Sequence, residues 1–285
     1  MRVAVVGGKL QGLEAVYLAT KAGWEIVLID KERNIPALNF AHSFYCLDAG
    51  SSGNLIPALT GCDFILPALE NKAVFKALIE VSEVLEIPLA LDMAAYEISS
   101  SKARSDLLFQ EINIPAPIPW PNCSYPLIIK PSGSSGSEGV LKIDDQEGYE
   151  LFKKENGPEL EEWVVQEYIE GPSYSIEILG SGENYFPLQV TGLEMDDIYD
   201  CKRVHAPVEL ETLQLKQFND IAVLIAREIN LTGIMDVEVV LHQGQLKILE
   251  IDARLPSQTP TVVYHSAGIN MLELLVELYL GKPPR

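Results

Sequence analysis

Three observations predict an α/β (α+β) fold for this 285-residue chain, with a small parallel sheet first and a larger, mostly β part after it. Short apolar runs alternate with helix-period stretches through residues 1–92, the pattern of parallel strands joined by covering helices. From residue 127 onward strand signals dominate, and two pairs of them flank turns that suit hairpins. Hydrophobic residues make up 47% of the chain, enough at this length to bury a sizeable core.

The run VAVV at 3–6 is a buried-strand signal stopped by Gly7 and Gly8. Over 11–21 the apolar positions Leu13, Val16, Tyr17 and Leu18 recur at helical spacing, and Gly23 closes that helix. EIVLID at 25–30 is a second strand ending in an acid; DFILP at 63–67 is a third, with a helix over 71–81 behind it. A helix over 99–112 leads into Pro115, Pro117, Pro119 and Pro121, whose fixed φ makes the connection extended and stiff. Strands follow at 127–130 and 140–143, a helix at 148–156, and a strand at 163–169 that Gly171 and Pro172 stop. The remainder reads as strands at 174–179, 185–190, 233–241 and 245–251, with helices at 212–229 and 270–280. The domain boundaries expected from this pattern are 1–92, 93–170 and 171–285.

Composition excludes several classes. With 41 acidic against 21 basic side chains the formal charge is −20, which argues against a protein that wraps nucleic acid or coats anionic membrane. No apolar run approaches the roughly 20 residues that span a bilayer, and VAVV directly after Met1 and Arg2 is a strand rather than a signal sequence. Cys46, Cys62, Cys123 and Cys201 are scattered without CxxC spacing, which points to free thiols in the cytoplasm. His42, His205, His242 and His265 are isolated, so no Cys–His or Ser–His–Asp nucleophile is evident.

Two glycine runs carry chemistry. GGKLQG at 7–12 joins a strand to a helix, where N–H groups could hold an anion, with Lys9 and Asp30 as the candidate nucleotide-binding side chains. The spacing is not GxGxxG, so a dehydrogenase is the weaker reading, and glycines serving only a tight turn are an equal alternative. The second run is more specific: a strand ending at Lys130, the loop PSGSSGSEG at 131–139, and a returning strand form a hairpin able to fold over a polyphosphate. Ser132, Gly133, Ser134, Ser135 and Gly136 would supply hydroxyl and N–H donors, and no Walker GKS/T ending is present.

The strongest signal is a carboxylate cluster on two strands, GIMDVE at 233–238 and ILEIDAR at 248–254. Alternation puts Asp236 and Glu238 on one face and Glu250 and Asp252 on one face. With an antiparallel turn at HQGQ (242–245), Glu238 and Glu250 lie nearly opposite, one residue off a symmetric register. Oxygen-only ligands without His or Cys indicate a hard cation such as Mg²⁺ (or Mn²⁺) shared with substrate phosphates, and Arg254 could clamp a phosphate oxygen.

These residues resemble the ATP-grasp ligase family along the whole chain. The resemblance implies an ATP-grasp fold preceded by a Rossmann-like pre-ATP-grasp domain at 1–92, a lid subdomain at 93–170, and a large subdomain at 171–285 carrying the metal site. It implies ATP held by Lys102 in SSSKAR, by Lys130 and its flap, and by the strand QEYI, namely Gln166, Glu167, Tyr168 and Ile169. Gln166 and Ser173 stand where many members have acids for the ribose. Metal ligands carry over to Glu238, Glu250 and Asp252, and the catalytic cations are Lys102, Lys130 and Arg254. A narrower resemblance is to the family's pyrrolysine-biosynthesis branch, through VGGKLQG at 6–12, GIMDVE and EIDARLPSQTPTVVY at 250–264. That branch joins (3R)-3-methyl-D-ornithine to the ε-amine of L-lysine, and its members carry a further C-terminal segment. By it, Leu10, Gln11 and Glu70 would hold lysine, Ser175 and Glu177 would face the ornithine, and Ser257, Gln258 and Thr259 would line the product site.

The implied reaction converts a carboxylate to an acyl phosphate that the lysine amine then attacks. That amine has an ordinary pKa of about 10.4 and must lose a proton first; Glu70, Asp236 and Glu177 are the candidate acceptors, unranked. Partners are small molecules, with neither nucleic acid nor membrane, and a homodimer is left open. Another carboxylate–amine ligase of the dipeptide type, or a nucleotide-binding protein without turnover, are the alternatives.

Overall fold

Three short apolar runs of the N-terminal part, with an edge segment at 43–46, become four parallel strands. In the computed structural model, which describes residues 1–134, 136–157 and 162–281, β1 (Arg2–Val6), α1 (Leu10–Lys21), β2 (Glu25–Asp30), β3 (Ser43–Cys46), α2 (Ser52–Leu59), β4 (Phe64–Pro67) and α3 (Lys72–Leu85) follow in order. The strands lie β3-β2-β1-β4, with Val5 opposite Leu28 on one side and Leu66 on the other. A sheet covered on both faces needs strands apolar throughout, as VAVV and IVLI are; Val27, Ile29 and Ile65 are fully buried with Leu78 of α3. Asn71 caps α3 by accepting from Ala73 N and Val74 N, which is why that helix starts where it does.

The next part runs α4 (Met93–Ser99), α5 (Lys102–Glu111), β5 (Leu127–Pro131), β6 (Leu141–Ile143), α6 (Gln146–Asn156) and β7 (Trp163–Glu167), then β8 (Ser173–Ser181), β9 (Tyr185–Met195) and β10 (Cys201–His205). It continues with α7 (Thr212–Glu228), β11 (Thr232–His242) and β12 (Gln245–Asp252), and α8 (Thr259–Ala267) and α9 (Met271–Tyr279) follow. β6-β5-β7 form a small antiparallel sheet, and β10-β9-β8-β11-β12 a larger one. α7 covers the larger sheet with the helical stripe Phe218, Ala222 and Ile225, all fully buried against Met235, Val237 and Ile248.

The chain clusters into two units rather than three segments in order. One holds Met1–Asp92, Thr232–Ile234 and the segment from Arg254; the other holds Met93–Leu231 and Met235–Ala253. In this grouping the last part of the expected segment 171–285, from Arg254 on, goes with the first unit. The reason is a polar seam on α1: Glu14 accepts from Thr261 N at 2.7 Å and from its hydroxyl, Asn270 Nδ2 donates to Leu18 O at 3.0 Å, and Tyr17 pairs with His265 Nε2 at 2.8 Å.

The helix expected at 99–112 is α5, which starts at Lys102, and α4 before it was not anticipated. Ser101 caps α5 through Arg104 N, and Ser99 Oγ accepts from Ala253 N at 3.0 Å, so the run of serines separates α4 from α5. β3, β10, α2 and α8 were not anticipated. β3 and β10 are edge strands with few buried side chains, α2 contains Pro57, and α8 begins with a proline in its first turn.

Candidate active site

Within the second unit a cavity of about 260 Å³ opens between the two antiparallel sheets. Lys102, Lys130, Glu238 and Glu250 form its polar floor, and Ile128, Val140, Ile169, Met195, Val240 and Leu249 its apolar walls. The connection from β7 to β8, Gln166 to Gly171 and Ser173, makes one side. That connection runs close to β11: a Cβ at Gly171 (φ +156°) would fall 2.1 Å from Leu241 O, and Leu241 N donates to Pro172 O at 2.9 Å. Glycine is required there because no side chain fits between the two backbones.

The acids are brought together by a register device. Gln243 and Gly244, both at positive φ, close the β11–β12 hairpin with His242 opposite Gln245. Continued regularly, that turn would set Glu238 opposite Leu249 and send Glu250 to the other face. Instead Val239 faces Ile248 and Glu238 faces Glu250, so Leu249 is a bulge, and Asp236 comes opposite Asp252. The one-residue mismatch noted in the sequence is this bulge. Lys130 Nζ lies 3.4 Å from the Leu249 carbonyl, and Lys102 Nζ 2.9 Å from Glu250 Oε1, so one lysine binds each side of the kink.

Both lysines are buried, Lys102 to 7% exposure and Lys130 to 4%. Burial holds the Lys130 pKa below its ordinary value, against the upward pull of Asp106, Glu250 and Glu238. Burial likewise pushes the Asp106 carboxyl up, countered by Lys130 and Lys102. Like charges facing across β11 and β12 are unfavourable unless neutralised, and the lysines supply the nearest positive charge.

The flap is seated on α5. Ser132 O accepts from Lys102 N at 2.8 Å and Ser132 Oγ from Ala103 N at 3.1 Å, which anchors the start of the flap at the helix N-terminus. Ser134 contributes its carbonyl to Lys102 Nζ. Gly133 and Gly136 border open space, and Ser135 lies outside the described residues. At the flap's far end Ser137 lines the cleft and donates to Tyr199 O. Glu167 keeps its carboxylate on Lys247 at 2.6 Å and on Ile118 N at 3.1 Å; burial raises its pKa, but these bonds outweigh that and hold it below the usual range.

Other candidate residues gather in two further places. On adjacent strands of the larger sheet Ser175, Glu177 and Asp236 are buried together, and Ser175 Oγ donates to Asp236. In the first unit Arg254 pairs with Glu70 Oε1 at 2.6 Å, Gln11 Nε2 donates to Leu255 O, and Ser257, Gln258 and Thr259 lead into α8, with Gln258 at φ +86°. Leu10 stands exposed at the start of α1. Lys9 and Asp30 are engaged locally: Asp30 accepts from Gly8 N at 2.7 Å and Lys9 pairs with Glu32 at 3.0 Å. The glycine turn thus donates to the protein's own Asp30 carboxylate. A Cβ at Gly12 would fall 2.1 Å from Gly7 O, so these glycines serve the tight strand-to-helix turn.

Sequence reasoning missed Asp106, Ser137, Tyr199 and Leu249. Asp106 had a signal, since it lies one helical turn beyond Lys102; Tyr199 sits between β9 and β10, where only the paired sheet brings it to the cleft.

Among the described residues no three acidic, His or Cys side chains converge as a ready-made cation site. Glu238 and Glu250 both line the cleft, whereas Asp252 lies two residues along the ladder, opposite Asp236. Two facing carboxylates with no nitrogen or sulfur donors fit a hard divalent ion that takes its remaining ligands from phosphate and water.

Residues 100–258 match the ATP-grasp domain. The chain is 37% identical over 278 residues to the 3-methyl-D-ornithine–L-lysine ligase of Methanosarcina barkeri, covering 97% of this chain and 73% of that one. Its counterpart in Methanosarcina acetivorans is 38% identical over 279 residues, with the same coverages. A solved ADP complex of N5-carboxyaminoimidazole ribonucleotide synthetase superposes with a TM-score of 0.84 over 99% of this chain and 78% of that one; at 14% identity it bears on the fold alone.

Proposed function

We propose, because this chain belongs to the ATP-grasp family, that it is an ATP-dependent, ADP-forming ligase joining (3R)-3-methyl-D-ornithine to the ε-amine of L-lysine. The observation that carries the chemistry is the single cleft in which two buried lysines face two opposed carboxylates. The substrate pair is supported by identity to the ligases that bear that name.

In this reading ATP lies in the cleft with its base against Ile128, Ile169, Met195 and Val240 and its phosphates toward Lys102 and Lys130. Glu238 and Glu250 would hold Mg²⁺, with Asp252 beside them; the ion, when bound, neutralises phosphate charge during transfer. The ornithine carboxylate attacks the γ-phosphorus, ADP leaves, and an acyl phosphate forms. Lys102 and Lys130 stabilise the charge on the transferred group, and the flap seated on Ser132 excludes water that would hydrolyse the intermediate. The ε-amine of lysine, relieved of a proton by one of Glu70, Asp236 or Glu177, attacks the acyl carbon and phosphate leaves. Arg254 would steady a phosphate oxygen. Free thiols at all four cysteines agree with a cytoplasmic setting.

The test follows ADP and product mass with ATP, Mg²⁺, L-lysine and either D-ornithine or its 3-methyl form. ADP release that requires both amino acids, with a product equal to their sum less water, is expected. ADP release without either amino acid, or a product lacking lysine, would overturn the substrate assignment.

A further inference from the structure

We propose that Gln166 is a specificity-determining residue for the nucleobase, its side-chain amide reading the edge of adenine that carries the 6-amino group and N7. The inference rests on the reading of the cleft as the ATP site.

Gln166 is only 3% exposed, yet it lines the cleft. Among the described residues nothing hydrogen-bonds its side-chain amide, so a donor and an acceptor face the cavity without a protein partner. A buried amide in that state costs stability unless water or a ligand meets it. The other polar groups of the cleft are engaged or one-sided. Glu167 is held by Lys247 and by Ile118 N, and Ser137 by Tyr199 O. Lys102 and Lys130 only donate, and ionised Glu238 and Glu250 only accept. Gln166 is the one carboxamide among the described residues that line the cleft, and a carboxamide sets a donor beside an acceptor in one plane.

Strand register places that amide at the base end. Gln166 stands directly opposite Ile128 of β5, and both line the cleft. Lys130, the next residue on that face of β5, is two positions on, about 7 Å along the strand. A base packed on Ile128 therefore meets Gln166 at its rim, while the phosphates point onward to the lysines. The edge of adenine that sets a 6-amino donor beside the N7 acceptor is the complement of a carboxamide, and such a two-bond match discriminates between bases. Oε1 would accept from the 6-amino group and Nε2 would donate to N7.

The experiment uses the full chain with Mg²⁺ and reads Kd by calorimetry for ATP, for 7-deaza-ATP, in which C–H replaces N7, and for 2′-deoxy-ATP. Thermal unfolding of the nucleotide-free protein is read beside it. The parent should bind ATP roughly tenfold tighter than 7-deaza-ATP, about 1.4 kcal/mol. Gln166→Met, close in volume, should weaken ATP binding and abolish that preference, while the ratio of ATP to 2′-deoxy-ATP stays at the parent's value. Gln166→Glu keeps an acceptor for the 6-amino group but turns a carboxylate on the N7 lone pair, so it should lose the preference or reverse it. Without nucleotide, Gln166→Met should melt no lower than the parent, because no protein hydrogen bond is lost. Equal binding of ATP and 7-deaza-ATP by the parent, or a 7-deaza penalty that survives in Gln166→Met, overturns the inference. So does a change confined to the 2′-deoxy ratio, which would move Gln166 to the ribose, or a lower midpoint of free Gln166→Met, which would make the amide structural. A parent that binds no ATP overturns the reading of the cleft first, and the inference with it.

Discussion

Replacing Glu250 by Gln removes one charge from the floor of the cleft and keeps the side chain's shape. Two opposed effects follow. Glu250 faces Glu238 directly across β11 and β12, and like charges opposite one another cost roughly 0.2–1 kcal/mol, which the substitution relieves. Against that, Lys102 Nζ lies 2.9 Å from Glu250 Oε1 and its side chain is only 8% exposed. A hydrogen bond between charged groups contributes about 1.5–3 kcal/mol, and an amide oxygen recovers only part of it. Attraction wins, so the variant should be less stable by about 1–2 kcal/mol, seen as a fall of several degrees in the unfolding midpoint. ADP release should fall by at least about a hundredfold, because stabilising transferred phosphoryl charge through a metal is worth several kcal/mol. Thermal unfolding and a coupled ADP assay over a range of Mg²⁺ concentrations read both effects. A variant that melts higher than the parent would show that acid–acid repulsion, not the Lys102 pair, governs the floor. Full turnover at ordinary Mg²⁺ would remove Glu250 from the metal site.

Three other outcomes follow from the same geometry. Phe109→Ala, at a fully buried position in the core beneath the larger sheet, should destabilise the second unit by about 3–5 kcal/mol in denaturant unfolding. Gly171→Ala puts a Cβ 2.1 Å from Leu241 O at φ +156°, so the β7–β8 connection must move; KM for ATP should rise and stability fall by more than about 1 kcal/mol, and an unchanged crystal structure with unchanged KM would refute this. Burial pushes the Glu14 carboxyl pKa up in the folded state, so the native state holds more protons than the unfolded one between the two pKa values. Stability from this group is greatest below the unfolded value of 4.5 and declines as pH rises through the folded one. Glu14→Gln keeps an acceptor for Thr261 N and should therefore gain stability relative to the parent as pH is raised from 4 to 7; a gain that is larger at pH 4 would contradict the sign.

Much of this protein was legible in one dimension. VAVV and IVLI have to be buried strands, and a lysine before a serine–glycine loop has to end a strand and begin a flap, because these features depend on a few adjacent residues. The alternation of Asp236 with Glu238, and of Glu250 with Asp252, is equally local, since side chains on a strand alternate with period two. Tertiary structure decided what those residues face. Only pairing, with its bulge at Leu249, puts Glu238 across from Glu250. Only the docking of the flap on α5 brings the Ser132 hydroxyl to Ala103 N. The carboxylate of Asp30 could equally have met a ribose or a turn N–H until the sheet brought it to Gly8. Tyr199, 62 positions beyond its hydrogen-bond partner Ser137, carries nothing in its neighbours that announces the contact. Propensity and periodicity act over a few residues, whereas burial, counter-charge and register are properties of the surface a residue meets, and that surface exists only once the chain has folded.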